Sequence, residues 1–244
     1  MLFPAPLIPG RLVKRYKRFL ADVTLDTGES ITATCPNTGS MMGLTTPGSK
    51  VWLSESDSAT RKYRHTWEMI ETEVVPAGKK KGDGPVIVGI NTNWPNKLVT
   101  EAITNDRVPR LAGYPSLKRE QRYGVNSRID ILLECPKRGV AYVEIKNVHL
   151  CRTRRLAEFP DSVTERGAKH LDELTNMVAG GHRAVMVYLV QRDDCDRLRL
   201  AGDIDPAYAA AFAKAKNAGV EAIALACSVS PEGIEVTREI EMEG

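Results

Sequence analysis

The sequence predicts a mixed α+β chain in two parts. A small β-barrel comes first, followed by a domain ordered helix, three strands, helix, strand. Three observations carry this. Short strand-like segments separated by turns fill the first third, and no helix of normal length begins before about Trp94. Beyond Trp94, helical and strand-like periodicities alternate. The 244 residues, 42% of them hydrophobic, are enough to give both parts a core.

In chain order, Phe19–Leu25 and Ser30–Cys35 flank an Asp26-Thr27-Gly28-Glu29 turn, a hairpin signal. Lys50–Leu53 and His65–Ile70 read as the next two strands. A glycine-rich basic loop, Pro76–Gly84, precedes the strand Val86–Ile90. Five short strands with few helices suggest an OB-like barrel. From Trp94 to Asn105 the pattern is helical, with Leu98, Ala102 and Ile103 on one side. Strands are expected at 117–123, 128–135 and 140–147. A helix follows from about Ser162 to Val178, with Asp161 as its expected N-cap and Gly180-Gly181 as its stop. The buried strand 184–190, a helix at 207–218 and a strand at 220–227 complete the series. The change in character places a boundary near residue 84, giving 1–84 as the barrel and 85–244 as the mixed domain.

The most chemically informative segments are Arg128–Leu133 and Ala141–Lys146. Alternate side chains of a strand share a face. Ile129, Ile131 and Leu133 form one apolar face; Ala141, Val143 and Ile145 form the other. Directing both into one core favours pairing Ile131 with Val143 and Ile129 with Ile145. Asp130 then lies opposite Glu144, their Cβ atoms roughly 5 Å apart, with Lys146 one pleat further along. Two carboxylates so close repel unless a proton or cation joins them. A hard cation, Mg2+ or Mn2+, suits such oxygen ligands. Lys146 would add positive charge where a phosphodiester gains negative charge during cleavage. The chemistry indicated is metal-assisted phosphodiester hydrolysis, with Asp130 and Glu144 as metal ligands. The plain alternative is a solvated polar row on a half-buried hairpin.

Composition narrows the classes. No apolar run approaches the ~18 residues needed to cross a bilayer, so no membrane partner is expected. The proline-broken start is too short for a secretory signal. Cys35, Cys135, Cys151, Cys195 and Cys227 are odd in number and lack Cys-x-x-Cys spacing, so they read as reduced thiols in a cytoplasmic protein. The net charge is +3, and residues 1–84, with twelve Lys/Arg against nine Asp/Glu, carry all of it. No phosphate loop, dinucleotide fingerprint or catalytic triad is visible, which leaves a sugar-metabolism enzyme without support.

The order of elements, with Asp130 on the second strand and Glu144-Ile145-Lys146 on the third, resembles the core of the PD-(D/E)XK nuclease superfamily. The chain also resembles, nearly end to end, the sugar fermentation stimulation protein A family of bacteria and archaea. The segments that carry this are Arg15–Asp22, Cys35-Pro36-Asn37-Thr38-Gly39, Arg61-Lys62-Tyr63, His65-Thr66-Trp67-Glu68, Ser127–Asp130, Phe159-Pro160-Asp161 and Thr164–Gly167. The resemblance implies an OB-like N-terminal domain, a PD-(D/E)XK-like C-terminal domain and DNA binding. The family name reflects a genetic effect on sugar utilisation. The loop Lys79–Gly84 looks like an insertion relative to the family pattern.

Further candidates carry two readings each. Glu101, on the helix before the three strands, is either a further acidic site residue or a surface carboxylate paired with Lys97. Glu120 on the first strand has the same standing. Glu165 and Lys169, one helical turn apart, either reach the metal waters and phosphate or form a surface ion pair. Arg166 and His170 share that stretch; His170 reads as a capping or surface histidine more readily than as a proton shuttle. Asn147 is open between backbone and phosphate. Arg11, Lys14, Arg15, Lys17 and Arg18 place five cations in eight residues. These cations suit phosphate contact, with Tyr16 placed to stack on a base; the alternative is a solvated edge strand. Arg61, Lys62 and Arg64 form a second basic cluster with the same two readings. Cys35–Gly39 is turn chemistry first.

Two functions follow. One is a DNA-binding protein with a Mg2+- or Mn2+-dependent nuclease site, linked through the resemblance to sugar fermentation and maltose metabolism. The other is a non-catalytic DNA-binding transcriptional regulator of sugar-utilisation genes. A homo-oligomer is compatible with either.

Overall fold

Ala21, Val23 and Leu25 point inward at every second residue of Leu20–Leu25 (β2), and a turn with Gly28 at φ 90° returns the chain as Ser30–Thr34 (β3). The computed structural model describes residues 1–73, 84–124 and 127–243, without the side chain of Glu165. All of the loop Lys79–Gly84 except Gly84 lies outside those residues. Ile8–Tyr16 (β1) lies between β2 and Lys50–Glu55 (β4), and His65–Thr72 (β5) follows β4. The order β3-β2-β1-β4-β5 closes through a bridge between Thr34 and Thr66, making a small OB-like barrel.

Val86–Gly89 (β6) pairs with β5 outside that closure. The sequence pattern counted it with the barrel, whose core Val86 and Val88 do join, but gave β1 only as an alternative, a solvated edge strand. The reason is physical: within the cation-rich run only Gly10 and Leu12 are buried, and a bulge after Leu12 breaks the period of two. Gly10 is required there, because a Cβ would sit 2.7 Å from Val23 Cγ1 and 2.8 Å from the Thr24 carbonyl oxygen.

The second part contains Pro95–Thr104 (α1), Ser116–Tyr123 (β7), Ser127–Cys135 (β8), Gly139–Val148 (β9), Leu150–Thr153 (β10), Leu156–Phe159 (β11), Glu165–Ala179 (α2), Arg183–Val190 (β12), Arg197–Leu200 (β13), Pro206–Asn217 (α3), Glu221–Ser230 (β14) and Gly233–Met242 (β15). One mixed sheet runs β10-β11-β13-β15-β14-β12-β9-β8-β7. Central β12, parallel to β9 and β14, is buried on both faces, as its unbroken apolar run requires. Helix α1 covers one face with Leu98, Val99 and Ala102 against Leu133, Ala141 and Val143. Helices α2 and α3 cover the other with Leu171, Leu174 and Tyr208 against Met186, Tyr188 and Ala224.

Asp161 is not the cap of α2. Thr164 is, its Oγ1 accepting the Gly167 N–H at 3.1 Å. Asp161 faces the barrel instead: its Oδ2 accepts the Met41 N–H at 2.8 Å and lies 3.1 Å from His149 Nε2. Leu7, Trp52 and Met69 of the first part join the core on the α1 face. Thr92 Oγ1 donates to the Pro36 carbonyl at 2.8 Å, so loop 35–39 sits beside the segment that leads into α1.

Candidate metal and nucleic acid site

Strands β8 and β9 run antiparallel with Ile131 opposite Val143, the register that burial demands. The expected Ile129–Ile145 pair does not form. The ladder ends at Ile131–Val143, and Asp130 Oδ2 accepts the Ile145 N–H at 2.7 Å in place of a ladder carbonyl. The β7–β8 pairing also skips Asp130, and Glu120 beside it takes φ 54°. With the sheet opened there, Ile129 packs in the α2-side core, whereas Ile131 and Leu133 belong to the α1 side. The expectation of a single core face for all three is therefore corrected.

The opening leaves a polar cleft of about 510 Å³ between α1 and α2. Asp130, Glu144 and Lys146 meet in it. Lys146 Nζ lies 2.8 Å from Glu144 Oε1, and His170 Nδ1 makes a short hydrogen bond to the same oxygen. Arg166 Nε donates to His170 Nε2 at 3.3 Å, which places the ring proton of a neutral imidazole on Nδ1, facing Glu144. Glu144 Oε2 is buried and has no hydrogen-bond partner among the described residues. Asp130 is held by neutral donors, with Asn96 Nδ2 at 2.9 Å from Oδ1. That same amide donates to Glu120 Oε1 at 2.8 Å, so a third carboxylate borders the cleft.

The two central carboxylates differ in their proton affinity. Burial and the nearby Glu144 charge push Asp130 up to about 6, against the opposing pull of the Ile145 N–H, Asn96 and Lys146. Burial raises Glu144 as well, but the His170 hydrogen bond and the Lys146 charge outweigh it, so Glu144 ends below its ordinary value. An ionised carboxylate thus sits beside one that gains stability by meeting a cation. Lys146 does not plug the site, because it engages Oε1 and leaves Oε2 without a partner.

Other sequence candidates lie elsewhere. Glu101 is not in the cleft; its Oε1 binds the Met1 amino group at 2.9 Å. Asn96 faces the cleft, and five residues of helix turn Glu101 about 140° away from it. Lys97 does not pair with Glu101 but lies over the Trp94 ring. The side chain of Glu165 lies outside the described residues. Lys169 Nζ is 3.9 Å from Glu173 Oε1 and lines a neighbouring pocket rather than the carboxylate cleft. Asn147 borders the cleft with its Oδ1 accepting from Gln191 Nε2 at 2.7 Å.

Several N-terminal cations are committed to the fold. Arg15 donates to the carbonyls of Arg18, Asn37, Gly39 and Ser40. Arg61 donates to the Thr34 and Thr66 hydroxyls that flank the barrel closure. Arg64 pairs with Glu55, and Lys14 with Asp22. Tyr16 donates to Asp22, with Lys14 over its ring, which argues against a ready stacking platform. Arg11 donates to the Gly48 carbonyl at 3.3 Å, and Lys62 covers the Tyr63 ring. Lys17 and Arg18 stand at a turn in the left-handed region, beside half-exposed Phe19.

Sequence reasoning undervalued His170 and did not mention Asn96. The available signal for His170 was Arg166, four residues earlier on the same helix face. The structure also gathers Cys151, Asp194 and Cys195 with their ligand atoms within 4.8 Å of one another, which their separation in sequence hid. Buried Arg192 already pairs with Asp194 there. All five cysteines are unpaired. Among the described residues no helix is long and apolar enough to cross a membrane.

An OB-like barrel joined to a mixed sheet, with a carboxylate–lysine cluster where that sheet opens, defines a two-part protein whose second part is a helix-covered mixed sheet. Residues 13–78 match the model of the SfsA N-terminal OB domain, and residues 93–233 that of the sugar fermentation stimulation protein RE domain. The chain belongs to the sugar fermentation stimulation protein family. It is 58% identical over 243 residues to a homolog from Agrobacterium fabrum, covering 100% of this chain and 97% of that one. A homolog from Sinorhizobium medicae is 59% identical over 237 residues, covering 97% and 95%. The solved structure of Pyrococcus furiosus SfsA, described as a complex with Ca2+, is similar with a TM-score of 0.83 at 29% identity, covering 100% of this chain and 98% of that one.

Proposed function

We propose that this chain is a DNA-binding protein that hydrolyses phosphodiesters with a divalent cation, Mg2+ or Mn2+. The observation that carries the reading is the buried, unpartnered Glu144 Oε2 beside Asp130, in a cleft open to solvent. Asp130 and Glu144 would hold the ion, with Glu120 as a further oxygen donor at the rim. A hard cation prefers such a set, and the Ca2+ in the Pyrococcus relative supports the choice of ion class. When bound, the ion supplies a Lewis acid and an activated water. Lys146 keeps a positive charge inside the cleft, where a phosphodiester gains negative charge. His170 fixes the orientation of Glu144 through its Nδ1–H, and Asn96 does the same for Asp130. The barrel, residues 1–84, would hold the DNA backbone through Lys17, Arg18 and the less committed cations Arg11 and Lys62, with the chemistry in 85–244. With reduced cysteines, the chain would work in the cytoplasm.

A second reading rests on the Lys146–Glu144–His170 cluster, which satisfies one carboxylate oxygen without an ion. It makes the protein a regulator of sugar-utilisation genes that keeps the fold for binding. Incubating the protein with plasmid, linear and single-stranded DNA, with Mg2+, Mn2+ or a chelator, separates the two. Metal-dependent cutting lost in Glu144→Ala and Lys146→Ala supports hydrolysis. Cutting shared by both variants marks a contaminant, and binding without cutting favours the regulator.

A further inference from the structure

A second pocket, about 700 Å³, adjoins the carboxylate cleft and shares Arg128, Arg166 and His170 with it. Its lining contains no carboxylate among the described residues. Arg122, Arg128, Arg166 and Lys169 line it. Arg122 and Arg128 are directly opposite each other on β7 and β8, both exposed. Like charges facing across a strand pair are destabilising unless an anion lies between them. Lys169 is 3.9 Å from Glu173, and Arg128 and Arg166 also border the carboxylate cleft, whereas no ion pair of Arg122 or Arg128 within 4.0 Å occurs among the described residues. Tyr123 also lines the pocket, but its buried hydroxyl lies against Glu173 and is not counted among the pocket's donors. A phosphate fits this set of side chains: it accepts forked donation from arginines and a point charge from lysine at once.

We propose that this pocket is a second phosphate subsite, in which Arg122, Arg128, Arg166 and Lys169 hold a phosphate of the strand whose neighbouring phosphate lies at Asp130 and Glu144. The assignment of nucleic acid as ligand rests on the function proposed above; the basic pocket and its facing arginines do not. The group held is either an internal diester or a terminal monoester, and the monoester carries up to about one more charge. The shared Arg128 and Arg166 tie the two halves of the cleft, so the strand would run from the carboxylates toward the β7–β8 turn.

The test is fluorescence anisotropy of 3′-labelled DNA decamers, with and without a 5′-phosphate, in Ca2+ at several salt concentrations. Arg122→Ala and Lys169→Ala should each weaken binding roughly fivefold and lower the salt slope by about one, with Arg138→Ala as a basic control elsewhere on the surface. A preference of wild type for the 5′-phosphate that both variants lose assigns the pocket to a terminal monoester. Equal weakening with either end assigns it to an internal diester. Affinity and slope unchanged in both variants, or no binding by wild type, overturns the subsite. Cutting is assayed separately in Mg2+. Binding through these residues without cutting leaves the subsite standing and removes the nuclease; cutting with unaltered binding does the reverse.

Discussion

The carboxylate cleft and the basic N-terminal run invite opposite expectations from their residue types, and the structure reverses much of them. The N-terminal run has five cations in eight residues, yet Arg15 spends its guanidinium on four backbone carbonyls and Lys14 is paired with Asp22. The cleft is acidic at its centre, yet it merges into a pocket where Arg122 and Arg128 face each other across a strand pair. Formal charge in a sequence is therefore a poor guide to charge available for a ligand. What matters is whether backbone carbonyls or carboxylates nearby have already claimed it.

The largest effect is expected at the cleft: Asp130→Asn and Glu144→Gln should each lower metal-dependent DNA hydrolysis by at least about a hundredfold, measured by single-turnover cleavage. Residual activity within a fewfold of wild type would remove these carboxylates from the chemistry. Next is Arg15→Ala, which strips charged donors from partly buried carbonyls and should cost about 2–3 kcal/mol in urea unfolding. An unperturbed midpoint would restore Arg15 to the ligand-binding surface. Lys17→Ala with Arg18→Ala should leave stability within about 0.5 kcal/mol and weaken DNA binding severalfold at low salt.

The cleft also has a pH signature. Asp130 titrates near 3.8 when unfolded and at about 6 in the native protein, so the native state holds the proton more tightly. Its contribution is fully present below about pH 4 and declines as pH rises to about 6, a loss on the order of 2–3 kcal/mol. Melting curves of wild type against Asp130→Asn from pH 4 to 7 should show the difference growing in favour of the variant. Added Mg2+ at pH 7 should narrow it. The smallest effect belongs to Glu101→Gln, which weakens a half-exposed pair with the Met1 amino group by less than about 1 kcal/mol and should leave hydrolysis intact.

Much of the site was legible because period-two burial dictates it. Ile131 opposite Val143 follows from keeping both strands' apolar residues inside, and that register brings Asp130 and Glu144 together. The bond from Ile145 N–H to Asp130 was not legible, since a side chain replacing a ladder acceptor leaves no mark in a hydropathy pattern. His170 needed the packing of α2 against β9, a long-range fact. In the fold, long apolar runs such as Arg183–Val190 announced themselves, whereas β1 was masked by its cations. The four-residue strands β10, β11 and β13 are too short for any period to register.

The Asp161 carboxylate, reached by a backbone amide of the barrel and by His149 of the other half, acts together with an apolar seam that Leu7, Trp52 and Met69 share with the large sheet. Severing the chain between its two matched regions would strand an acceptor and lay greasy surface bare on both fragments. Barrels from different relatives are thus not interchangeable cassettes. A chimera would have to carry the contact surface on each side of the seam, and the two halves should melt in one cooperative step.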